Sequence, residues 1–421
     1  MSKLLHPLPL SLSPVEMARG LAHLPGLVFF DSAGNLPHDA RRPLSILCAR
    51  PQGTFTGHIS DPSALDQFLT QNQAPEPLPG EPPFPAGGLC GKVDYEGSYH
   101  FAHYPEMLVY DHATRQWWEL GSLSSEYTST VSPPALPPLG PWRCSLPEEA
   151  FLSAVRTIQD YIRAGDIYQV NLSRRFQAAF TTPLSPSSLF PLYEVLRDAS
   201  PAPMAAYLDL GDQEILSSSP ETFLNLTGDR IETRPIKGTK PRFLQNPVAD
   251  AASAASLTAS EKERAELVMI TDLLRNDIGQ VCRFGSVYVE DMLHLESLQH
   301  VHHLVSTVRG RLRPGIRHLH ALSACLPGGS ITGAPKKRAC EIIRELEPVP
   351  RGFYTGVTGY LGFNRVSQFQ ITIRSLSRRA RHLSYHTGAG IVADSVAADE
   401  FQETEQKAAG IRLALARWLK P

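Results

Sequence analysis

Two stretches of this 421-residue chain can be neither helix nor central strand, and they limit how the rest can be arranged. Residues 72–86 (NQAPEPLPGEPPFPA) and 132–141 (SPPALPPLGP) are crowded with proline. Proline lacks the backbone donor and clashes with the preceding turn, so both stretches read as loops or linkers. The second follows a Ser/Thr-rich run, Ser122 to Ser132, and is the natural boundary. It predicts an N-terminal region of residues 1–140 and a larger region of 145–421, in keeping with a length above that of one simple core.

Composition excludes several classes of function. Hydrophobic residues make up 42% and charged residues 19%, ordinary values for a globular enzyme. The formal net charge of −2 offers no general attraction to nucleic acid or to an anionic membrane. No apolar run is long enough to span a bilayer. The first residues, MSKLLHPLPLSLSP, carry one lysine and are interrupted by Pro7 and Pro9, so they read as mature sequence and not a signal peptide. Cys48, Cys90, Cys144, Cys282, Cys325 and Cys340 are scattered without a CxxC pair. Neither a disulfide framework nor a zinc site is expected, and a reducing cytoplasm fits best.

The N-terminal region reads as strands and turns at 27–32, 43–49 and 107–120. The C-terminal region opens on a helix with Phe151, Val155, Ile158 and Ile162 on one face, ended by Gly165. Ser145 and Glu148 predict a capping box at its start. In 167–176, Tyr168, Val170 and Leu172 alternate with Gln169, Asn171 and Ser173. That is a strand with one polar face, either a cleft wall or a solvated outer face. Amphipathic helices are predicted at 260–276 and 398–419, with short strands between them. The sum is a mixed α/β chain with antiparallel pairing.

Each of these two helices carries glutamates at i and i+3: Glu263 with Glu266, and Glu400 with Glu403. Such pairs share a face. They suit a hard cation such as Mg²⁺, which takes one or two carboxylates and keeps waters, or they simply solvate the helix. The loop PGGSITGAPKK (327–337) leads into a helix with Pro335 in its first turn, and its amides suit either an anion or a tight turn. GAGIVADS (388–395) is a second glycine-bearing turn. Lys237 falls in a turn between two prolines, and His303 in an apolar setting. Arg374, centred in the apolar run ITIRSL, calls for a buried anion or a special partner. GLCG at 88–91 falls short of an amidotransferase nucleophile motif, because Lys92 replaces its last glycine.

Taken together, GDIYQVNLSRRF, SSSPETFL, RPIKGTKPR, AELVMITDLLRNDIG, HVHHLVSTVRG, PGGSITGAPKKRACEIIRELEP, RGFYTGVTGYLG, ITIRSL and GAGIVADSVAADEFQETEQKA resemble the chorismate-utilising enzymes, in family order over about 165–408. The resemblance implies two large antiparallel β-sheets packed face to face and flanked by helices, with chorismate and Mg²⁺ in a cleft. Glu266 and Glu403 would bind the metal directly, and Glu263 and Glu400 through water. Tyr354, Arg374 and the amides of Gly388 and Gly390 would hold the enolpyruvyl carboxylate. His303 and Ser330 would lie near the ring, and Glu221 would protonate the departing C4 hydroxyl. After Ala393-Asp394-Ser395 the family usually has a proline and an acidic residue, whereas this chain continues Val396-Ala397-Ala398-Asp399-Glu400.

Within the family, members that add water resemble this chain but carry a lysine where it has Gln169, and a neutral amide is no base. Members that aminate C2 typically have alanine where it has Lys237. Lysine there resembles the branch that aminates C4, in which the amine attacks C2. Such an amine must shed its proton, so burial or a nearby cation is expected to depress its pKa. Ammonia would come from a separate glutamine amidotransferase subunit. By the same resemblance, Asp31 and Ser32 mark a tryptophan pocket in the N-terminal region.

Overall fold

The computed structural model describes residues 5–32, 43–78, 81–129, 136–184, 188–298 and 301–419. Residues 79–80 and 132–135, parts of the two proline-rich stretches, lie outside them. The rest of both stretches is almost wholly irregular, as expected of proline-rich chain.

Among the described residues, two antiparallel sheets of twelve and ten strands carry the fold. The larger runs from His6–Leu8 through Gln116–Leu120, Met107–Asp111, Leu44–Cys48, Val28–Asp31, Met204–Asp209, Gln213–Ser219, Ser375–Arg379, His382–Ile391 and Gln169–Ala179 to Gly333–Ala334. The smaller runs from Ile236–Pro241 through Val301–Arg311, Arg230–Arg234, Thr222–Thr227, Val366–Ile371, Val357–Gly362 and Gly88–Val93 to Ser98–Tyr104 and Thr54–His58. They pack on each other through Val28, Phe30 and Ile46 of the larger and Cys90, Tyr104 and Tyr360 of the smaller. The rings of Phe30 and Tyr360 lie 5.7 Å apart. Burying one such side chain contributes about 1.5–3 kcal/mol.

The regions 1–140 and 145–421 do not build separate sheets. Val28–Asp31 pairs with Met204–Asp209, and Gly88–Val93 pairs with Val357–Gly362. Strand edges left open by one region are closed by the other, which satisfies backbone groups that neither could pair alone.

Helices cover the outer faces. Pro14–Leu21, Phe190–Ala199 and Ala397–Trp418 bury Met17, Tyr193 and Ile411 against the larger sheet. Glu261–Gly279 and His318–Cys325 bury Ile278 and Leu322 against the smaller. The helix Glu148–Arg163 buries Phe151, Val155 and Ile158 as its spacing required. Its cap differs from expectation: Pro147 is the N-cap, and Ser145 Oγ instead accepts from the Arg175 amide at 2.9 Å. Gly165 follows the helix in the left-handed region, at φ 83°.

Candidate active site

The site forms where the chain crosses between sheets. Pro220 and Glu221 link Gln213–Ser219 of the larger sheet to Thr222–Thr227 of the smaller. Residues 372–374 make the return crossing, from Val366–Ile371 to Ser375–Arg379. The crossings are tied together: Ser219 Oγ donates to Ile371 O at 2.6 Å, the Ile371 amide to Glu221 O at 3.1 Å, and the Ser218 amide to Arg374 O at 3.2 Å. Arg374, centred in its apolar run, sits at a crossing between strands, at φ 50°. That left-handed conformation costs an arginine about 1–3 kcal/mol and is retained where the surroundings over-determine it.

Arg374 and Glu221 feel each other's charge, with burial dominating both. Burial lowers the Arg374 pKa, with Glu221 opposing. Burial pushes the Glu221 carboxyl up to about 7, opposed by a hydrogen bond from Ser330 and by the charges of Lys237, Arg374 and Lys407. A carboxyl so placed holds its proton near neutrality and can give it up, which a general acid requires.

Lys237 lies in a strand, Ile236–Pro241, and not in a turn. The bounding prolines are tolerated because this strand lies at the edge of its sheet, and a bulge at Gly238, φ 72°, shifts its register against Val301–Arg311. The Lys237 amine stands 3.2 Å from Glu266 Oε2. On the neighbouring strand, His303 Nδ1 meets Thr239 Oγ1 at 3.0 Å and Gly238 O at 3.2 Å. Its Nε2 is buried without a hydrogen-bond partner. Burial, helped by Arg374, depresses the ring's pKa to about 4, so it is neutral at pH 7.

The larger sheet supplies the opposite wall. Strand Gln169–Ala179 turns Val170 and Leu172 into an apolar core and buries Gln169 and Ser173 on its other face. The polar face is thus a cleft wall and not a solvated one. Tyr168 precedes the strand and is 72% exposed, so it does not continue the apolar face. Gln169 pairs with Ala334, and Asn171 with Gly390. At Gly390 a β-carbon would meet Gln169 Nε2 at 2.6 Å, Asn171 Oδ1 at 3.0 Å and Lys237 Nζ at 3.6 Å. The glycine therefore opens space where these three side chains converge. Gln169 Nε2 is buried and unpartnered.

The carboxylates of Glu261–Gly279 and Ala397–Trp418 face one another. Burial raises the Glu263 pKa, and Glu266 and Glu403 add to the shift. Burial also raises Glu400, with Glu403 adding, while Ser395 Oγ donates to Glu400 Oε1 at 2.6 Å. Burial works to raise Glu403 too, but the charges of Lys407, Lys237 and Lys262 outweigh it and leave its pKa lowered. Lysines hold the cluster: Lys407 reaches Glu403 at 2.6 Å and Lys262 reaches Glu400 at 4.0 Å. No group of three or more His, Cys, Asp or Glu is gathered as a preformed metal cage among the described residues. Oxygen donors gathered from two facing helices suit a cation that takes one or two carboxylates and otherwise keeps water.

In the glycine-rich loop, Ser330 belongs to a short 3-10 turn, Gly329–Ile331. Pro335 is the N-cap of the following helix and not within its first turn, because Gly333–Ala334 forms a short strand against Gln169–Val170. Asn171 Nδ2 donates to Ser330 O at 3.0 Å. Lys336 is drawn away, to Asp277 at 2.6 Å. Tyr354 is buried and stacks on His386, with ring centroids 4.8 Å apart. Gly388 and Gly390 lie in the strand His382–Ile391 and not in a turn, because they pair with Ser173 and Asn171, and Lys407 Nζ donates to Gly388 O at 3.1 Å.

The fold thus brings Glu221, Lys237, His303, Ser330 and Arg374 to one wall system, with Gln169 and Gly390 facing them. Asn171, Ser395, Lys262 and Lys407 were not singled out from the sequence. Two carried a signal: Asn171 shares the polar face of Gln169, and Lys407 lies at i+4 from Glu403.

A family model for chorismate binding enzymes matches residues 41–412. The chain belongs to that family. It is 37% identical over 420 residues to aminodeoxychorismate synthase component 1 of Klebsiella aerogenes, covering 87% of this chain and 89% of the relative. It is 39% identical over 339 residues to the protein of that name from Bacillus subtilis, covering 75% and 70%. It is 36% identical over 403 residues to anthranilate synthase component 1 of Streptomyces coelicolor, covering 84% and 77%. The crystal structure of anthranilate synthase component I from Streptococcus pneumoniae is similar with a TM-score of 0.75 at 29% identity, covering 90% of this chain and 94% of that one. The menaquinone-specific isochorismate synthase of Escherichia coli shares the fold, with a TM-score of 0.76 at 18% identity, covering 98% and 94%. Both solved structures share the fold described above. No helix among the described residues is long and apolar enough to cross a membrane.

Proposed function

We propose that this chorismate-binding enzyme is an aminodeoxychorismate synthase component I, which aminates chorismate at C4. Lys237 carries the reading: its amine stands in the cleft beside Gly390 and Glu266, where members aminating C2 would present no amine. The Lys237 amine bonds to C2 while both ring double bonds shift and the C4–O bond breaks, Glu221 supplying the proton that releases water. Ammonia then bonds to C4, both double bonds shift back, and the C2–N bond breaks to free Lys237. The proton given by Glu221 is recovered from the ammonium formed at C4. His303, neutral with Nε2 unpartnered, can accept from a ring hydroxyl, and Ser330 holds Glu221. Tyr354, Arg374 and the amides of Gly388 and Gly390 receive the enolpyruvyl carboxylate. Gln169 offers an amide donor and no base, which disfavours water as the nucleophile.

Glu266 and Glu403 would hold Mg²⁺ directly, with Glu263 and Glu400 acting through water, and Lys237 and Lys407 would then be released from their carboxylates. The bound cation would supply positive charge to the ring carboxylate. Ammonia would be delivered by a glutamine amidotransferase subunit, as the name component 1 borne by the relatives suggests. The product would feed p-aminobenzoate and folate synthesis in the cytoplasm.

A cavity of about 210 Å³ between the sheets is lined by Asp31, Ser32, Pro203 and Met204, and is the candidate tryptophan pocket. A dialysed sample without tryptophan by mass spectrometry removes that assignment.

The second reading is anthranilate synthase component I, because relatives of that name match almost as well. Chorismate, Mg²⁺ and an ammonium salt at mildly alkaline pH decide the matter. p-Aminobenzoate appearing only when aminodeoxychorismate lyase is added supports amination at C4. Direct anthranilate fluorescence would sink it.

A further inference from the structure

Arg351 is 2% exposed, and each nitrogen of its guanidinium has a hydrogen-bond partner. Nε and Nη2 donate to the two oxygens of Glu347 at 2.9 and 2.7 Å. Nη2 also reaches Asn171 O at 2.9 Å. Nη1 reaches Ile331 O at 2.9 Å and Thr355 Oγ1 at 3.3 Å. Glu347 in turn accepts from the Ser173 amide at 2.7 Å. One side chain therefore joins three pieces of the cleft: the strand bearing Gln169 and Asn171, the loop bearing Ser330, and the turn bearing Tyr354.

That turn needs holding. Thr355, next to Tyr354, lies at φ 58°, a left-handed conformation that a residue other than glycine keeps only where neighbours over-determine it. The N-terminal region supplies the neighbours. Glu96 accepts from the Arg351 amide at 2.8 Å and from the Gly352 amide at 3.0 Å. The Tyr95 amide donates to Gly352 O at 2.8 Å, and the Tyr95 ring lies 4.7 Å from the Arg351 guanidinium.

We infer that Arg351 and Glu96 are positioning residues that set the spacing of Tyr354, Ser330 and Gln169 around chorismate, with Glu96 the contribution of the N-terminal region to substrate binding. This rests on the reading of the cleft as the chorismate site. The arrangement has a physical reason. Tyr354 and Ser330 come from loops, and a loop holds a substrate group to within an ångström only when its backbone is fixed from outside. An error of that size costs up to roughly a hundredfold in catalysis.

The test measures the Kd for chorismate by quenching of intrinsic fluorescence in the presence of Mg²⁺, together with KM, kcat and Tm, for the full chain and three variants. Arg351→Lys keeps the charge but loses the fork, and should raise Kd and KM by roughly tenfold to a hundredfold with a smaller change in kcat. Glu96→Ala, at an exposed position that tolerates replacement, should raise Kd by a few-fold with Tm nearly unchanged. Glu96→Gln, retaining one acceptor oxygen, should recover part of that loss. Wild-type Kd and KM in both Glu96→Ala and Arg351→Lys, with only Tm lowered, overturn the inference. If Arg351→Lys does not fold, an unchanged Kd in Glu96→Ala alone overturns it. A wild-type chain that binds no chorismate overturns the site reading beneath it, a result distinct from variants that bind as wild type does.

Discussion

The cleft and the cavity between the sheets draw on the same residue types and leave them in different states. In the cleft, three lysines attend the carboxylates, Glu221 is pushed up to about 7, and His303 Nε2 and Gln169 Nε2 have no partner. In the cavity the carboxylates are already spent on partners within the fold, while Arg234 Nε and Gln370 Nε2 are left without one. Asp31 receives Arg197 Nε at 2.5 Å and the Tyr193 hydroxyl at 3.1 Å, and Arg234 reaches Glu296 at 3.3 Å. Burial of a charged group is therefore no guide to function. A group answered inside the fold supports structure, whereas one left unanswered in a recess awaits a ligand.

The sharpest test of that contrast is Lys237→Ala. Aminodeoxychorismate formation should fall below detection in the lyase-coupled assay while Tm stays near wild type, since the lysine is half-buried and not part of the core. Unchanged p-aminobenzoate yield would remove its role as nucleophile.

Glu221→Gln should lower kcat roughly 10²- to 10⁴-fold. The wild-type pH profile carries the same information. A folded value of about 7, above the ordinary carboxyl value, means the proton is held below pH 7 and lost above it. The general acid therefore disappears as pH rises through about 7, and log kcat/KM should bend downward there. A profile that keeps this bend in Glu221→Gln assigns it to another group.

Asp31→Asn probes the other side of the comparison. Breaking a buried ion pair costs up to about 3–5 kcal/mol, and the loss here is smaller because Arg197 keeps Asp198 at 3.7 Å. Tm should drop with kcat/KM of the folded enzyme unchanged. Loss of activity at full stability would instead couple the cavity to the cleft. The smallest effect is expected from Glu400→Gln. It should weaken Mg²⁺ affinity by roughly 10- to 100-fold, measured by calorimetry without substrate, and an unchanged affinity removes Glu400 from the metal's surroundings.

Much of this was legible in the residues. The amphipathic stripe of Phe151, Val155 and Ile158 announced its helix, and the glutamates at i and i+3 announced two carboxylate faces. Strand alternation separated Gln169 and Asn171 from Val170 and Leu172, but whether the polar face was solvated depended on what stood opposite. Lys237 read as a turn residue because its flanking prolines dominate local propensity. Only pairing with Val301–Arg311, eased by the bulge at Gly238, made it a strand residue. Arg351 carried no signal, since its five acceptors lie on segments remote in sequence or on its own turn.

The sequence by itself determined the chemistry available to this protein: paired carboxylates, a lysine between two prolines, an arginine in an apolar run, and the ordered motifs of one family. Only the tertiary structure decided that strands from both sides of the proline-rich boundary pair with each other, that Arg374 and Glu221 stand on neighbouring crossings, and that three lysines already hold the carboxylates. The reason is physical. Local pattern follows from contacts a few residues apart, whereas sheet pairing, burial and the charge a group feels are set by neighbours hundreds of residues away.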